Sequence, residues 1–190
     1  MTTTLLQQGD ALLIVDVQND FLPGGALGVP EGNAVVAPLN AQIARFTAAG
    51  LPVFATRDWH PADHCSFLPQ GGPWPIHCVA GTAGAQFSPA LQLPPDATVV
   101  SKATRSDADA YSGFAGTDLH ARLQTAGIRR LLVGGLATDY CVLNSVLDAR
   151  KFGYDVVLLT HAMRAVNVQP DDGDRAMAQM LAAGAVTEEN

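Results

Sequence analysis

At 190 residues, with a formal charge of −7 and an isoelectric point near 5.0, the chain has the size of one ordinary domain that buries a core without staples. The acidic balance, unbroken by any run of Lys or Arg, excludes a nucleic-acid surface and favours a small partner. Three cysteines (Cys65, Cys78, Cys141) are too few for a secreted disulfide framework, no basic stretch precedes the first apolar run, and nothing approaches a membrane span, so a soluble cytoplasmic protein is expected.

Strand-length apolar runs alternate with helical patterns, which predicts one α/β domain over residues 1–190, three-layered α/β/α, with a mostly parallel sheet of about six strands. Ala11–Val15 is the first run. Val36, Leu39, Ile43 and Phe46 then mark one helical face, with Pro38 near its start and Gly50 as a left-handed cap. After the second run, Leu51–Ala55, the segment Asp58–Asp96 is rich in Pro, Gly and His and lacks periodicity; loops of that length inside compact domains are usually functional. Ala97–Val100 is the third run, followed by a helix from Thr117 as N-cap through Leu119 and Leu123 to Gly127. Leu131–Val133 reads as a buried strand, Gly134-Gly135 as a turn, and Cys141 as a cysteine at the mouth of a helix whose face is Val142, Val146 and Ala149. Asp155–Leu159, a helix beginning near Pro170 with Asp171 and Asp172 in its first turn and closing at Gly184, and a short run at Ala185–Thr187 complete the chain.

In a parallel sheet the ligand crevice lies beyond the carboxyl ends of the strands, which singles out Asp16, Asp58, Lys102 and the Ala137–Cys141 turn. Cys141 is the candidate nucleophile, since a helix N-terminus and the Lys102 ammonium both favour a thiolate. The alternative is a cysteine serving as a small core hydrophobe. Asp16 is either its proton acceptor or the cap of the Gln18–Gly25 turn. Asp58 and His60, two apart at a strand end, with His77 from the returning loop, supply one carboxylate and two imidazoles for a working metal site; zinc, iron and manganese all suit such donors. His64 is open between extra ligand, neighbour of a ligand and plain loop residue. Phe21, Trp74 and Tyr111 offer flat rings that either sandwich a planar heteroaromatic substrate or pack in the core.

Taken in order, IVDVQNDF around Asp16, TRDWHPADH around His60, GGPWPIHCVAGTAGAQF around His77, Lys102, AYSGF around Tyr111 and GLATDYCV around Cys141 resemble the nicotinamidases of the isochorismatase-like hydrolase superfamily, from about Asp10 to Leu159. The resemblance implies a catalytic triad of Asp16, Lys102 and Cys141, metal ligands Asp58, His60 and His77, and a ring pocket of Phe21, Trp74 and Tyr111. It also implies a cis Leu136–Ala137 peptide, with an oxyanion hole at the Ala137 and Cys141 N–H groups. The expected activity is that of a metal-dependent cysteine amidohydrolase converting nicotinamide and water to nicotinate and ammonia through a thioester, in NAD salvage, with pyrazinamide as a side substrate. The expected cofactor is one divalent ion, zinc ahead of iron or manganese. The expected partner is the small-molecule substrate alone, without nucleic acid or membrane; a homo-oligomer is left open. The alternatives are another hydrolase of the superfamily, a mononuclear zinc hydrolase that dispenses with Cys141, and a non-catalytic binding module.

Overall fold

A computed structural model describes residues 4–188; Met1–Thr3 and Glu189–Asn190, which the expected 1–190 domain and the amino-terminal reading include, lie outside the described residues. Six strands form one sheet: β1 (Asp10–Val15), β2 (Val53–Asp58), β3 (Thr98–Lys102), β4 (Arg130–Leu136), β5 (Asp155–Arg164) and β6 (Val186–Thr187). Every pairing is parallel, in the order β3-β2-β1-β4-β5-β6. The helices are α1 (Val36–Ala48), α2 (Leu119–Thr125), α3 (Leu143–Lys151) and α4 (Asp172–Ala182).

Alternation along the strands explains the layers. Leu12 and Ile14 of β1, with Leu132 and Val157, face a cluster built on Leu39, Ile43 and Phe46 of α1. Ala11, Leu13 and Val15 face the opposite cluster, where Leu119 and Leu123 of α2, Val146 of α3 and Met180 of α4 pack. Strands buried on both faces are necessarily apolar throughout, which is why β1 reads ALLIV and is buried at every position. Gly50, Gly127 and Gly184 end α1, α2 and α4 with positive φ, as their sequence positions predict. The second helix begins at Leu119 with Asp118 at its N-cap; Thr117, one residue further out, accepts the Leu119 N–H through its hydroxyl at 3.2 Å.

Gly134 and Gly135 do not form a turn. They continue β4 beside Ile14 and Val15 of β1, with a register irregularity against β5. A Cβ on Gly135, where φ is +128°, would stand 2.0 Å from the Val15 carbonyl oxygen, so glycine is required by close strand approach and not by chain reversal. The chain turns after Leu136, through a cis Leu136–Ala137 peptide and a π-type turn at Thr138–Val142 that leads into α3.

This strand order reverses direction between β1, which leads toward β2 and β3, and β4, which leads toward β5 and β6. The segments that follow β1 and β4 therefore diverge and leave a crevice between them. Asp16 follows β1 and the Cys141 turn follows β4. Asp58 and Lys102 end β2 and β3 and are register partners across that strand pair.

Candidate active site

At the switch point, four side chains meet in a buried floor. Lys102 Nζ lies 2.9 Å from Asp16 Oδ2, 2.5 Å from Asp58 Oδ1 and 3.5 Å from Cys141 Sγ, and donates to the Ala110 carbonyl at 3.1 Å. Asp16 Oδ1 accepts the Thr56 hydroxyl at 2.7 Å, while Oδ2 has no aligned hydrogen-bond partner among the described residues. One carboxylate oxygen each from Asp16 and Asp58, together with Cys141 Sγ, falls within 4.8 Å of one another. Asp16 itself holds a left-handed backbone, φ +49°, as does Ala103 just after Lys102, φ +50°. Such conformations are costly outside glycine and gather where the surrounding structure over-determines a site.

The electrostatics of this floor follow from burying two carboxylates around one ammonium. Burial raises the Asp16 carboxyl above its ordinary value; Lys102 opposes the rise and the Asp58 charge adds to it. For Asp58 burial acts upward too, but Lys102 and His60 outweigh it and hold the group below the usual carboxylate range. Burial works against the Lys102 charge, yet Asp16 and Asp58 overcome it and push the ammonium well above its ordinary value. Burial pushes the Cys141 thiol well up; Lys102 pulls it back, and the two carboxylates push it further. Lys102 thus acts in the expected direction but does not outweigh the burial of Cys141, which lies within the π-type turn ahead of α3.

A second cluster shares Asp58 with the first. Asp58, His60 and His77 each present one ligand atom within 4.8 Å of the others. His60 Nδ1 faces the Ala103 carbonyl at 3.2 Å and His77 Nδ1 faces the Pro75 carbonyl at 2.7 Å. A carbonyl oxygen only accepts, so both Nδ1 atoms carry the proton and both Nε2 lone pairs are free to coordinate. Among the described residues His60 Nε2 is buried without a hydrogen-bond partner, and it stands 3.7 Å from Asp58 Oδ2. A buried, unsatisfied imidazole nitrogen beside a carboxylate oxygen and a second imidazole is a set of donors that could hold a divalent metal. Burial also holds the His77 imidazole below its ordinary value, which keeps it neutral and ligand-competent. His64 is different: its Nδ1 is engaged by the Ser66 hydroxyl at 2.7 Å and its Nε2 by the Ala108 carbonyl at 3.3 Å, so both ring nitrogens are occupied.

Above the floor opens a cleft of about 480 Å³, its mouth included. Cys141, Ala137, Asp58, His60 and His77 line it, and so do the expected rings Phe21, Trp74 and Tyr111. Trp74 Nε1 donates to the Tyr111 hydroxyl at 2.9 Å, which fixes both rings. Six wall residues were not expected from sequence: Leu27, Val29, Ser66, Asp109, Tyr140 and Val166. Tyr140 packs edge-on against Trp74 at 5.1 Å between centroids, and its place beside Cys141 was the available signal. Val166 comes from the β5–α4 loop, which carries no motif; its N–H is held by the Asp139 carboxylate at 2.9 Å.

The Isochorismatase domain family matches residues 10–189. The chain belongs to this isochorismatase family. Within it, the chain is 43% identical to the nicotinamidase of Escherichia coli (strain K12), over 92% of each protein. Its fold superposes on the pyrazinamidase of Pyrococcus horikoshii in complex with zinc at a TM-score of 0.92, with 46% identity, covering 96% of this chain and 99% of that one. A second similar structure is PnC1 from L. infantum in complex with nicotinate: TM-score 0.90, 38% identity, 100% of this chain and 96% of that one. The alternating runs predict a mostly parallel α/β sheet; the sheet found is parallel throughout, and its architecture is that of the family's solved members.

Proposed function

We propose that this isochorismatase-family chain is a metal-dependent cysteine amidohydrolase that converts nicotinamide and water to nicotinate and ammonia, serving NAD salvage, with pyrazinamide as a second substrate. The single observation that carries this reading is the shared Asp58, which joins the Asp16–Lys102–Cys141 cluster to the Asp58–His60–His77 donor set across one ring-sized cleft. The curated relative is a nicotinamidase, and the two similar structures hold zinc or nicotinate, which supports the substrate and the ion. We assign zinc, with iron and manganese as the other ions this N/O set accepts.

In this mechanism Phe21, Trp74 and Tyr111 hold the aromatic ring, and the carboxamide lies over Cys141. A divalent ion on Asp58, His60 and His77 would supply a Lewis-acidic anchor for the ring nitrogen. Asp16 Oδ2 takes the thiol proton as sulfur attacks the carboxamide carbon, and the Ala137 and Cys141 N–H groups receive the oxyanion. The raised Asp16 carboxyl suits this work, being a stronger base than a solvated carboxylate while Lys102 still faces it at 2.9 Å. Asp16 then delivers the proton to departing ammonia, and finally activates the water that cleaves the thioester. The setting proposed is one cytoplasmic domain acting on a small molecule. Free Cys65, Cys78 and Cys141 support it; no helix among the described residues is long and apolar enough to cross a membrane.

The test is ammonia release from nicotinamide by wild type and Cys141→Ala, with ligand binding followed in parallel. The variant is expected to bind nicotinamide and release no ammonia. Near-normal turnover by Cys141→Ala would overturn the covalent route.

A further inference from the structure

Gln18 and Asp20 stand between Asp16 and Phe21, yet neither belongs to the triad, the metal donors or the pocket wall. Their side chains are instead bound to the backbone of the segments that carry two of the donors. Gln18 is wholly buried. Its Oε1 accepts the Asp58 N–H at 2.8 Å, and its Nε2 donates to the Asp58 carbonyl and to the Ala85 carbonyl, each at 2.8 Å. Asp58 lies two residues beyond Thr56, the last β2 residue in register with β1. The amide of Gln18 therefore takes the place of the missing strand on that side, satisfying both backbone groups of Asp58.

Asp20 does the same for the other donor segment. Its Oδ2 accepts the N–H of Cys78, the residue after His77, at 2.7 Å, and Oδ1 accepts the Ala26 N–H at 3.3 Å. Cys78 has φ +46°, so this short bond fixes a backbone that would not hold itself. Gly84 lies so close that a Cβ there would come 2.1 Å from Asp20 Oδ2. The backbone between them is clamped as well: Ser88 N–H to Val17 O at 2.9 Å, Asn19 N–H to Gln86 O at 2.9 Å and Asp20 N–H to Gly84 O at 3.0 Å.

We infer that Gln18 and Asp20 are positioning residues for the metal half of the site, which set the Asp58 and His77 segments at a fixed distance from Asp16. The inference rests on the donor set proposed above. Asp16, the grip on Asp58 and the grip on His77 all issue from one short stretch, so the base and the donors are registered by a single piece of backbone. Glutamine suits the task because one amide end carries both a donor and an acceptor. Glutamate has no donor for the Asp58 and Ala85 carbonyls, and adds a charge beside Asp58.

The test uses cobalt(II)-loaded enzyme, whose visible absorption reports ligand geometry, with affinity read by competition against a chromophoric chelator. Gln18→Glu and Asp20→Ala are expected to bind cobalt about 10- to 100-fold more weakly, the usual loss when partners supporting metal ligands are removed. Their cobalt bands shift, and KM for nicotinamide rises more than kcat falls. Asp20→Asn retains an acceptor for the Cys78 N–H and is expected to restore most of the loss. Asn19→Ala is the comparison: Asn19 Nδ2 donates to the Ala83 carbonyl at 2.8 Å from the same stretch but touches neither donor segment, so its cobalt band and affinity stay those of wild type. If Gln18→Glu does not fold, the Asp20→Ala and Asp20→Asn pair decides. Wild-type cobalt affinity and spectrum in the folded variants, or an equal loss in Asn19→Ala, would overturn the inference. A wild-type enzyme that takes up no stoichiometric cobalt overturns the donor set itself, and this inference with it.

Discussion

Lys102→Met removes the one cation from the floor of the site while keeping the length of the side chain. Lys102 is 1% exposed, and its ammonium serves Asp58 Oδ1 at 2.5 Å, Asp16 Oδ2 at 2.9 Å and the Ala110 carbonyl at 3.1 Å. Deleting it strands two buried carboxylates, and breaking a buried ion pair from one side costs about 3–5 kcal/mol. That is a large part of the roughly 5–15 kcal/mol by which a domain is stable. Urea unfolding of metal-free wild type, Lys102→Met and the double variant Asp16→Asn/Lys102→Met across pH separates this from a packing effect. Burial already raises the Asp16 carboxyl with Lys102 present, so without that cation its folded value lies higher still above the unfolded value of about 3.9. A raised folded value means stability is fully present below the unfolded value and is lost as pH rises through the folded one. Lys102→Met is therefore expected to be closest to wild type near pH 4 and to fall away toward pH 8, while the double variant recovers part of the loss and flattens the pH dependence. A Lys102→Met midpoint within about 0.5 kcal/mol of wild type at pH 7, the range of an ordinary surface change, would refute the reasoning.

Gly135→Ala is expected to destabilise by about 3 kcal/mol or more, because the new Cβ meets Val15 backbone at 2.0 Å in a φ of +128°. Gly153→Ala, with φ +88° but open space around it, costs only about 1–2 kcal/mol, and equal losses in thermal unfolding would contradict the close-approach account. Alkylation of Cys141 by iodoacetamide, followed by mass spectrometry, is expected to keep accelerating through pH 9, since burial holds the thiol proton well above the ordinary value of about 8.5. A rate already flat below pH 8 would mean that the thiolate is formed in the resting enzyme.

Much of this fold was legible because β1, β2, β4 and β5 are buried on both faces and so read as continuous apolar runs, while Val36–Phe46 and Val142–Ala149 keep a helical period. Gly134-Gly135 misled because a glycine pair signals reversal locally, whereas here the requirement is the distance between β4 and β1, which exists only after folding. The convergence of the strand-end candidates was legible for a related reason: a parallel sheet brings together residues distant in sequence at one edge, and Asp16, Asp58, Lys102 and Cys141 each follow or end an apolar run. Val166 was not legible, since the Asp139 carboxylate that places it is itself fixed by the turn holding Cys141. Nor was the upward push on the Cys141 thiol, because its burial is a property of the packed site and outweighs the lysine that the sequence displays.

The shared carboxylate links the two halves of the site by charge as well as by geometry. Asp16 and Asp58 against Lys102 leave one buried negative charge in excess. Two events relieve that excess: a proton on Asp16, whose carboxyl is raised, or a cation at the Asp58–His60–His77 donors. The raised carboxyl and the unsatisfied His60 nitrogen are thus two expressions of one imbalance. Asp58, with His60 and His77, would hold such an ion, whose positive charge would favour the ionised Asp16 carboxylate beside Lys102. The register of β2 against β3, which sets Asp58 beside Lys102, is therefore the structural step that makes the metal donors and the proton acceptor depend on each other.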